Sequence, residues 1–216
     1  MKRKLAILSI AGISLMGSLS VQAQKTEKLF NGKDLSNWEF LVDKNSVPAE
    51  QVYSVKDGMI QIAGQPFGYM YTKQKYSNYK LHVEWRWPDG KEANSGIFLL
   101  IEDLKNPFPN GVECQLHAGD AGDFVLLGGS DLAEFQNKPG QPRPAFPVVQ
   151  KHTKSSENKA GEWNEANIFV KDGVITVYIN GVYQNTGTNK VKEGHIGLQS
   201  EGGPIQFRNV TLTPWE

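Results

Sequence analysis

Apolar and polar residues alternate with a period of two along much of the chain. In "YKLHVEWRW" (79–87), Leu81, Val83, Trp85 and Trp87 alternate with His82, Glu84 and Arg86. In "GVECQLH" (111–117), Val112, Cys114 and Leu116 alternate with Glu113, Gln115 and His117. In "GHIGLQSE" (194–201), Ile196 and Leu198 alternate with His195, Gly197, Gln199 and Glu201. A period of two is the signature of a strand with one buried face. "SGIFLLIE" (95–102) is a further strand candidate. Turn signals divide such runs: Asp57-Gly58 separates "YSV" from "MIQIAG", Asp172-Gly173 separates "NIFV" from "VITVYI", and Asn180-Gly181 separates "ITVYI" from "VYQN". Asp-Gly and Asn-Gly between alternating runs predict hairpins. Glu201-Gly202-Gly203-Pro204 turns "HIGLQ" into "IQFRNVTL". No stretch has the period of a long amphipathic helix; Leu132–Phe135 is expected to make one helical turn. The pattern predicts an all-β chain, an antiparallel sandwich or jelly roll. Gly119–Trp163 breaks it: this segment is rich in Gly and carries Pro139, Pro142, Pro144 and Pro147. It is expected to be a long irregular loop, and a wall beside a groove, because it follows the Glu113 strand.

The N-terminus changes the picture of where the chain works. Lys2, Arg3 and Lys4 precede an apolar run, Leu5–Leu19, and Val21-Gln22-Ala23 offers small residues at a cleavage point. These are the marks of a secretory signal peptide, residues 1–23, leaving one domain over 24–216 in the periplasm or outside the cell. No Cys follows the leader, so no lipid anchor is expected, and no second long apolar run suggests a membrane span. Loss of Lys2, Arg3 and Lys4 leaves 20 basic residues against 23 acidic, a net charge near −3. Nothing in that balance favours nucleic acid or an anionic membrane as partner. The single cysteine, Cys114, allows no internal disulfide and sits in the apolar row of its strand, as a buried inert thiol would.

Candidate chemistry lies in the polar rows. Three strands each present His, Glu, Gln or Arg on one face. If the strands lie near one another, the rows line one hollow suited to a hydroxyl-rich ligand. Each group also has a plainer explanation. Glu84 and Arg86 can form a structural ion pair, His82 can be a solvated strand residue, and Gln115 and Gln199 can pair across strands. Glu113 with His117 is the most suggestive set, because a carboxylate orients and charges a nearby imidazole. Of the five tryptophans, Trp163 in "GEWNEANI" is the candidate for an exposed platform on which a sugar ring stacks. Asp120 and Asp123 in "HAGDAGD" can help hold a cation or simply form the turn. The metal-binding and nucleophile motifs of common hydrolases do not occur.

The chain resembles the 3-keto-disaccharide hydrolase domain family. "LFNGKDLSNWEF" (29–40), "NSGIFL" (94–99), "VECQL" (112–116), "GEWNEANIFV" (161–170), "VYINGV" (177–182) and "GHIGLQSEGGPIQFRNV" (194–210) are similar to its motifs, in the family's order. The Glu-x-Gln pair matches Glu113 and Gln115, and the terminal motif matches Leu198, Gln199, Phe207, Arg208 and Asn209. Ser200-Glu201 stands where many members carry Asp-His. The resemblance implies a concanavalin-like β-sandwich and a small carbohydrate substrate whose C3 hydroxyl has become a ketone. Such a ketone acidifies the C2 proton, so a base can remove it, the C1 aglycone can leave, and water can add. Glu113 or His117 is then the candidate base. Arg86 or a bound divalent cation would stabilise the enolate, and His195 or Glu201 would serve the leaving group. Glu84, Gln115, Trp163 and Gln199 would bind substrate. The alternatives are a non-catalytic carbohydrate-binding module of the same fold and a scaffold domain that leaves the His and Glu rows unused.

Overall fold

The computed structural model describes residues 25–215; the expected leader, residues 1–23, lies outside them. The strands in chain order are β1 (Glu27–Lys28), β2 (Trp38–Val42), β3 (Tyr53–Lys56), β4 (Met59–Ile62) and β5 (Gly68–Thr72), then β6 (Tyr79–Arg86), β7 (Gly96–Ile101), β8 (Gly111–Gln115), β9 (Phe124–Leu127) and β10 (Val148–Val149), then β11 (Asn164–Lys171), β12 (Val174–Ile179), β13 (Val182–Thr188), β14 (His195–Ser200) and β15 (Ile205–Pro214). The expected hairpins form for a backbone reason. Asp57-Gly58, Asp172-Gly173 and Asn180-Gly181 all have positive φ at both positions. That is the twist-matched two-residue turn that Asp-Gly and Asn-Gly tolerate best.

Two antiparallel sheets face each other. The first runs β13-β12-β11-β6-β15-β4-β3, with β1 also on β15; the second runs β10-β9-β8-β7-β14-β5-β2. Leu81, Val83 and Trp85 of β6 and Ile168 of β11 point inward from the first sheet. They meet Ile97 and Leu99 of β7, Val112 and Cys114 of β8, and Ile196 and Leu198 of β14. Each such side chain contributes roughly 1.5–3 kcal/mol by leaving water. Cys114 is fully buried, and burial pushes its thiol up in pKa.

The second sheet is covered on its outer side too. Tyr69, Tyr71, Phe98, Ile101, Val125 and Leu127 form a second buried cluster there, and Leu104 and Phe108 of the 102–110 segment pack on it. Strands buried on both faces lose alternation. Hence β5 (GYMYT) and β9 (FVLL) read as plain apolar runs. The 119–163 segment is accordingly less irregular than expected, since it contains β9 and β10. The single turn at Leu132–Phe135 is present, with the Phe135 N–H donating to the Leu132 carbonyl at 3.0 Å.

One expectation about the polar rows fails. β6 pairs with β11 and β15 in the first sheet, whereas β8 and β14 both border β7 in the second. The row of His82, Glu84 and Arg86 therefore faces away from the rows of β8 and β14, on the opposite side of the sandwich. Alternation reveals which face of a strand is buried, not which sheet the strand joins.

Candidate active site: an acid pair around a buried glutamate

Val112 and Cys114 fill the core, so Glu113 between them points out of the second sheet. It is nevertheless only 3% exposed. Its register partners are Phe98 on β7 and Val125 on β9, both members of the outer apolar cluster. The carboxyl leans over Gly96: a methyl group there would stand 2.2 Å from Glu113 Oε1 and 2.7 Å from its Cδ. Glycine at 96 is thus what leaves space for the acid. Glu201 follows β14 and bridges to Asn94, just before β7. Gln199 Nε2 donates to Glu201 Oε2 at 2.6 Å.

The electrostatics separate the two acids. Burial, and then the charge of Glu201, raise the Glu113 pKa well above the ordinary carboxylate range. Burial also raises Glu201, opposed by hydrogen bonds from Gln199 and Asn94 and by the nearby His117 charge. Two like charges sharing a site do not ionise together, and the deeper member keeps its proton. Of the two, Glu113 is therefore the one that holds its proton more strongly.

Four of the seven buried side-chain atoms left without a hydrogen-bond partner among the described residues belong to this neighbourhood: Glu113 Oε1, Gln199 Oε1, Asn94 Oδ1 and Tyr69 Oη. Tyr69 is the register partner of Gln199, and burial raises its pKa so that it keeps its proton. Each unmade hydrogen bond costs about 1–3 kcal/mol. Their concentration at one place is what a site awaiting a polar ligand shows.

The other candidates divide by position. Gln115 Oε1 accepts the N–H groups of Leu116 and His117, both at 2.9 Å. It shapes the exit of β8 and does not pair with Gln199. His117 is half exposed, with Nδ1 2.9 Å from Asp120 Oδ2. His195 shares the face, but its Nδ1–H donates to the Thr72 carbonyl at 2.7 Å. It lies two strands from Glu113 and one inward-outward repeat further along, roughly 12 Å by strand spacing.

Glu84, Arg86 and Trp163 stand on the other side of the molecule. Arg208 Nε donates to Glu84 Oε2 and Asn209 Nδ2 to Glu84 Oε1, each at 2.6 Å. Burial alone would raise Glu84, but the Asn209 and Arg208 hydrogen bonds and the Arg208 charge hold it below its ordinary value. Arg86 donates from Nε to Gln206 Oε1 at 2.7 Å, so the ion pair expected within β6 is replaced by Glu84–Arg208. The guanidinium carbons of Arg208 and Arg86 lie 3.9 and 4.7 Å from the Trp163 ring centre. Trp163 carries cations rather than facing the acid pair. A cavity of about 400 Å³ borders Glu84 and Trp163. A wider one of about 670 Å³ borders Phe135, Pro142, Pro144 and Phe146. Neither contains the acid pair.

Among the described residues, no group of three or more His, Cys, Asp and Glu side chains is arranged to hold a metal ion. The described side chains thus supply no such donor cluster for the divalent cation that the sequence allows. Tyr69, Asn94 and Gly96 were not evident as site residues. "NSGIFL" marked the segment of the last two without indicating what they do.

A model of the 3-keto-alpha-glucoside-1,2-lyase-like domain matches residues 25–213. A "3-keto-disaccharide hydrolase" of Bacteroides thetaiotaomicron is 23% identical over 241 residues, covering 90% of this chain and 80% of the relative. A Parabacteroides distasonis structure, provisionally named a glycosyl hydrolase, superposes with a TM-score of 0.63 at 21% identity, over 88% of this chain and 94% of that one. The carbohydrate-binding module CBM66 of Bacillus subtilis superposes with a TM-score of 0.58 at 12% identity, over 82% and 95%. With the match running across both sheets and through Glu113, Gln199 and Glu201, the chain belongs to the 3-keto-alpha-glucoside-1,2-lyase-like domain family.

Proposed function

We propose that this chain is an exported enzyme that cleaves 3-keto-glycosides by elimination and hydration. The observation that carries the proposal is buried Glu113 with half-buried Glu201, the first holding its proton the more strongly, beside unpartnered polar atoms of Tyr69, Gln199 and Asn94. Glu201 takes the C2 proton, and the C–H electrons move into an enolate on the C3 oxygen, which accepts a hydrogen bond from the Tyr69 hydroxyl. A carboxylate with a raised pKa is a better base for this step. The C1–O bond then breaks with its electrons on the leaving oxygen, which takes the Glu113 proton. Glu113, now ionised, accepts a proton from water as the water oxygen adds to C1. Glu201 returns its proton to C2. The sum is hydrolysis, and both acids end as they began. Asn94 Oδ1 and Gln199 Oε1 accept hydroxyl groups of the sugar.

The test offers purified protein a 3-keto-glucoside and its parent glucoside. Turnover of the first alone is expected, and Glu113→Gln should lower it about 10²–10⁴-fold. Unchanged turnover in Glu113→Gln would remove that residue from the chemistry. Binding of either compound without turnover would instead favour the carbohydrate-binding module. Export rests on the leader; N-terminal sequencing of the periplasmic or secreted protein should begin at Gln24.

A further inference from the structure

Three phenylalanines from separate segments meet on the outer side of the second sheet, the side to which Glu113 points. Phe67 lies 5.9 Å from Phe108, ring centre to centre, and Phe108 lies 5.2 Å from Phe146. Phe67 is 37% exposed and Phe146 47%. Gly68 pairs with Ser200, so the antiparallel register sets Phe67 level with Glu201. Phe108 packs on the outer cluster, whose Phe98 is the cross-strand partner of Glu113. The rings thus form a row on the acids' side of the sandwich, with Phe67 level with Glu201 and Phe146 the most exposed. Pro144 and Pro147 flank Phe146 and stiffen the backbone that presents it.

From this juxtaposition we infer that the leaving-group side of the site takes an apolar, planar aglycone, an aromatic ring above all. The inference rests on the function proposed above and names its substrate class. Sugar-stacking platforms usually use Trp or Tyr, whose polar edges satisfy hydroxyl groups. Phenylalanine has no such edge, so a second sugar buried here would leave hydroxyls unpaired at a cost. An aromatic ring extends the tilted and edge-to-face array of Phe67, Phe108 and Phe146 without that cost. It also covers apolar surface that otherwise faces water.

Benzyl and methyl 3-keto-glucosides of the same anomeric configuration test this, because their leaving alkoxides are close in basicity and differ in the ring. Wild type should turn over the benzyl compound with kcat/KM about tenfold higher or more. Phe67→Ser and Phe146→Ser should each collapse that ratio toward one. Both side chains are well exposed, and a Tm near wild type would confirm that the variants are folded. Equal rates in wild type, or variants that lower both substrates equally, would overturn the aglycone assignment while leaving the elimination chemistry standing. If neither compound is turned over, the proposed reaction fails. Calorimetry with unoxidised benzyl and methyl glucosides then decides the aglycone question alone. Tighter binding of the benzyl compound, lost in both variants, would uphold the ring subsite, and equal binding would reject it.

Discussion

Glu113→Gln preserves the outline of the side chain and removes its titration. In the unfolded chain the glutamate titrates near pH 4.3; in the folded chain burial and Glu201 raise that value. Between the two, the folded protein still holds the proton and the unfolded chain has released it. The folded state therefore binds more protons, and wild-type stability falls as pH rises across this window, by at most about 1.4 kcal/mol per pH unit. Below the unfolded value the contribution is fully present; above the folded value it is fully lost. Glutamine shows none of this. One kcal/mol moves Tm by about 2–4 °C in a domain of this size. The Tm of the variant minus that of wild type should therefore climb by up to roughly 3–6 °C per pH unit, beginning near pH 4, and level off at the folded pKa of Glu113. Scanning calorimetry at constant ionic strength reads the curve. The slope carries the information, because new amide contacts add only an offset independent of pH. A difference that stays flat, or that shrinks with rising pH, would mean that Glu113 is ionised and paired, and the acid role proposed for it would be lost.

Gly96→Ala should push Glu113 out of place, because the added methyl would stand 2.2 Å from its Oε1. A stability loss of about 1–3 kcal/mol with most of the turnover gone is expected, and wild-type values of both would refute the placement. Glu84→Gln should cost about 1–2 kcal/mol at neutral pH by breaking the contacts with Arg208 and Asn209. The folded pKa of Glu84 is lowered, so its contribution is present above the unfolded carboxylate value and fades as pH falls. Paired melts at pH 7 and pH 3 would show a smaller cost at the second. Turnover should stay at the wild-type level in Glu84→Gln, since the residue faces the far side of the sandwich; a tenfold loss would bring β6 back into the site. His195→Gln should change kcat only slightly, and abolished turnover would contradict its separation from Glu113.

The hairpins were legible because Asp-Gly and Asn-Gly state a backbone requirement locally, and the positive φ values at Asp57, Asp172 and Asn180 meet it. β6, β8, β11 and β14 were legible from their alternation. β5 and β9 were not, because the outer cluster buries Tyr69, Tyr71, Val125 and Leu127 as thoroughly as the core buries their neighbours. For the site, Glu113, Gln199 and Glu201 stood out from alternation and motif together. Glu84, Arg86 and Trp163 were assigned to the same hollow because pairing is a long-range property. The partner that places Glu84 is Arg208, 124 positions away. Tyr69, Asn94 and Gly96 matter through a hydroxyl, an amide and an empty volume, none of which has a periodicity.

Cys114 is the chain's sole sulfhydryl and occupies the reverse side of the strand that carries Glu113. A thiol-reactive dye can reach it only when the sheets part, so its labelling rate under native conditions tracks how often the sandwich opens. Any compound that binds the folded state alone slows this labelling by the factor 1 + [L]/Kd when opening and closing are fast. The chain thus carries an internal meter of occupancy that reports on candidate ligands before a single product has been identified.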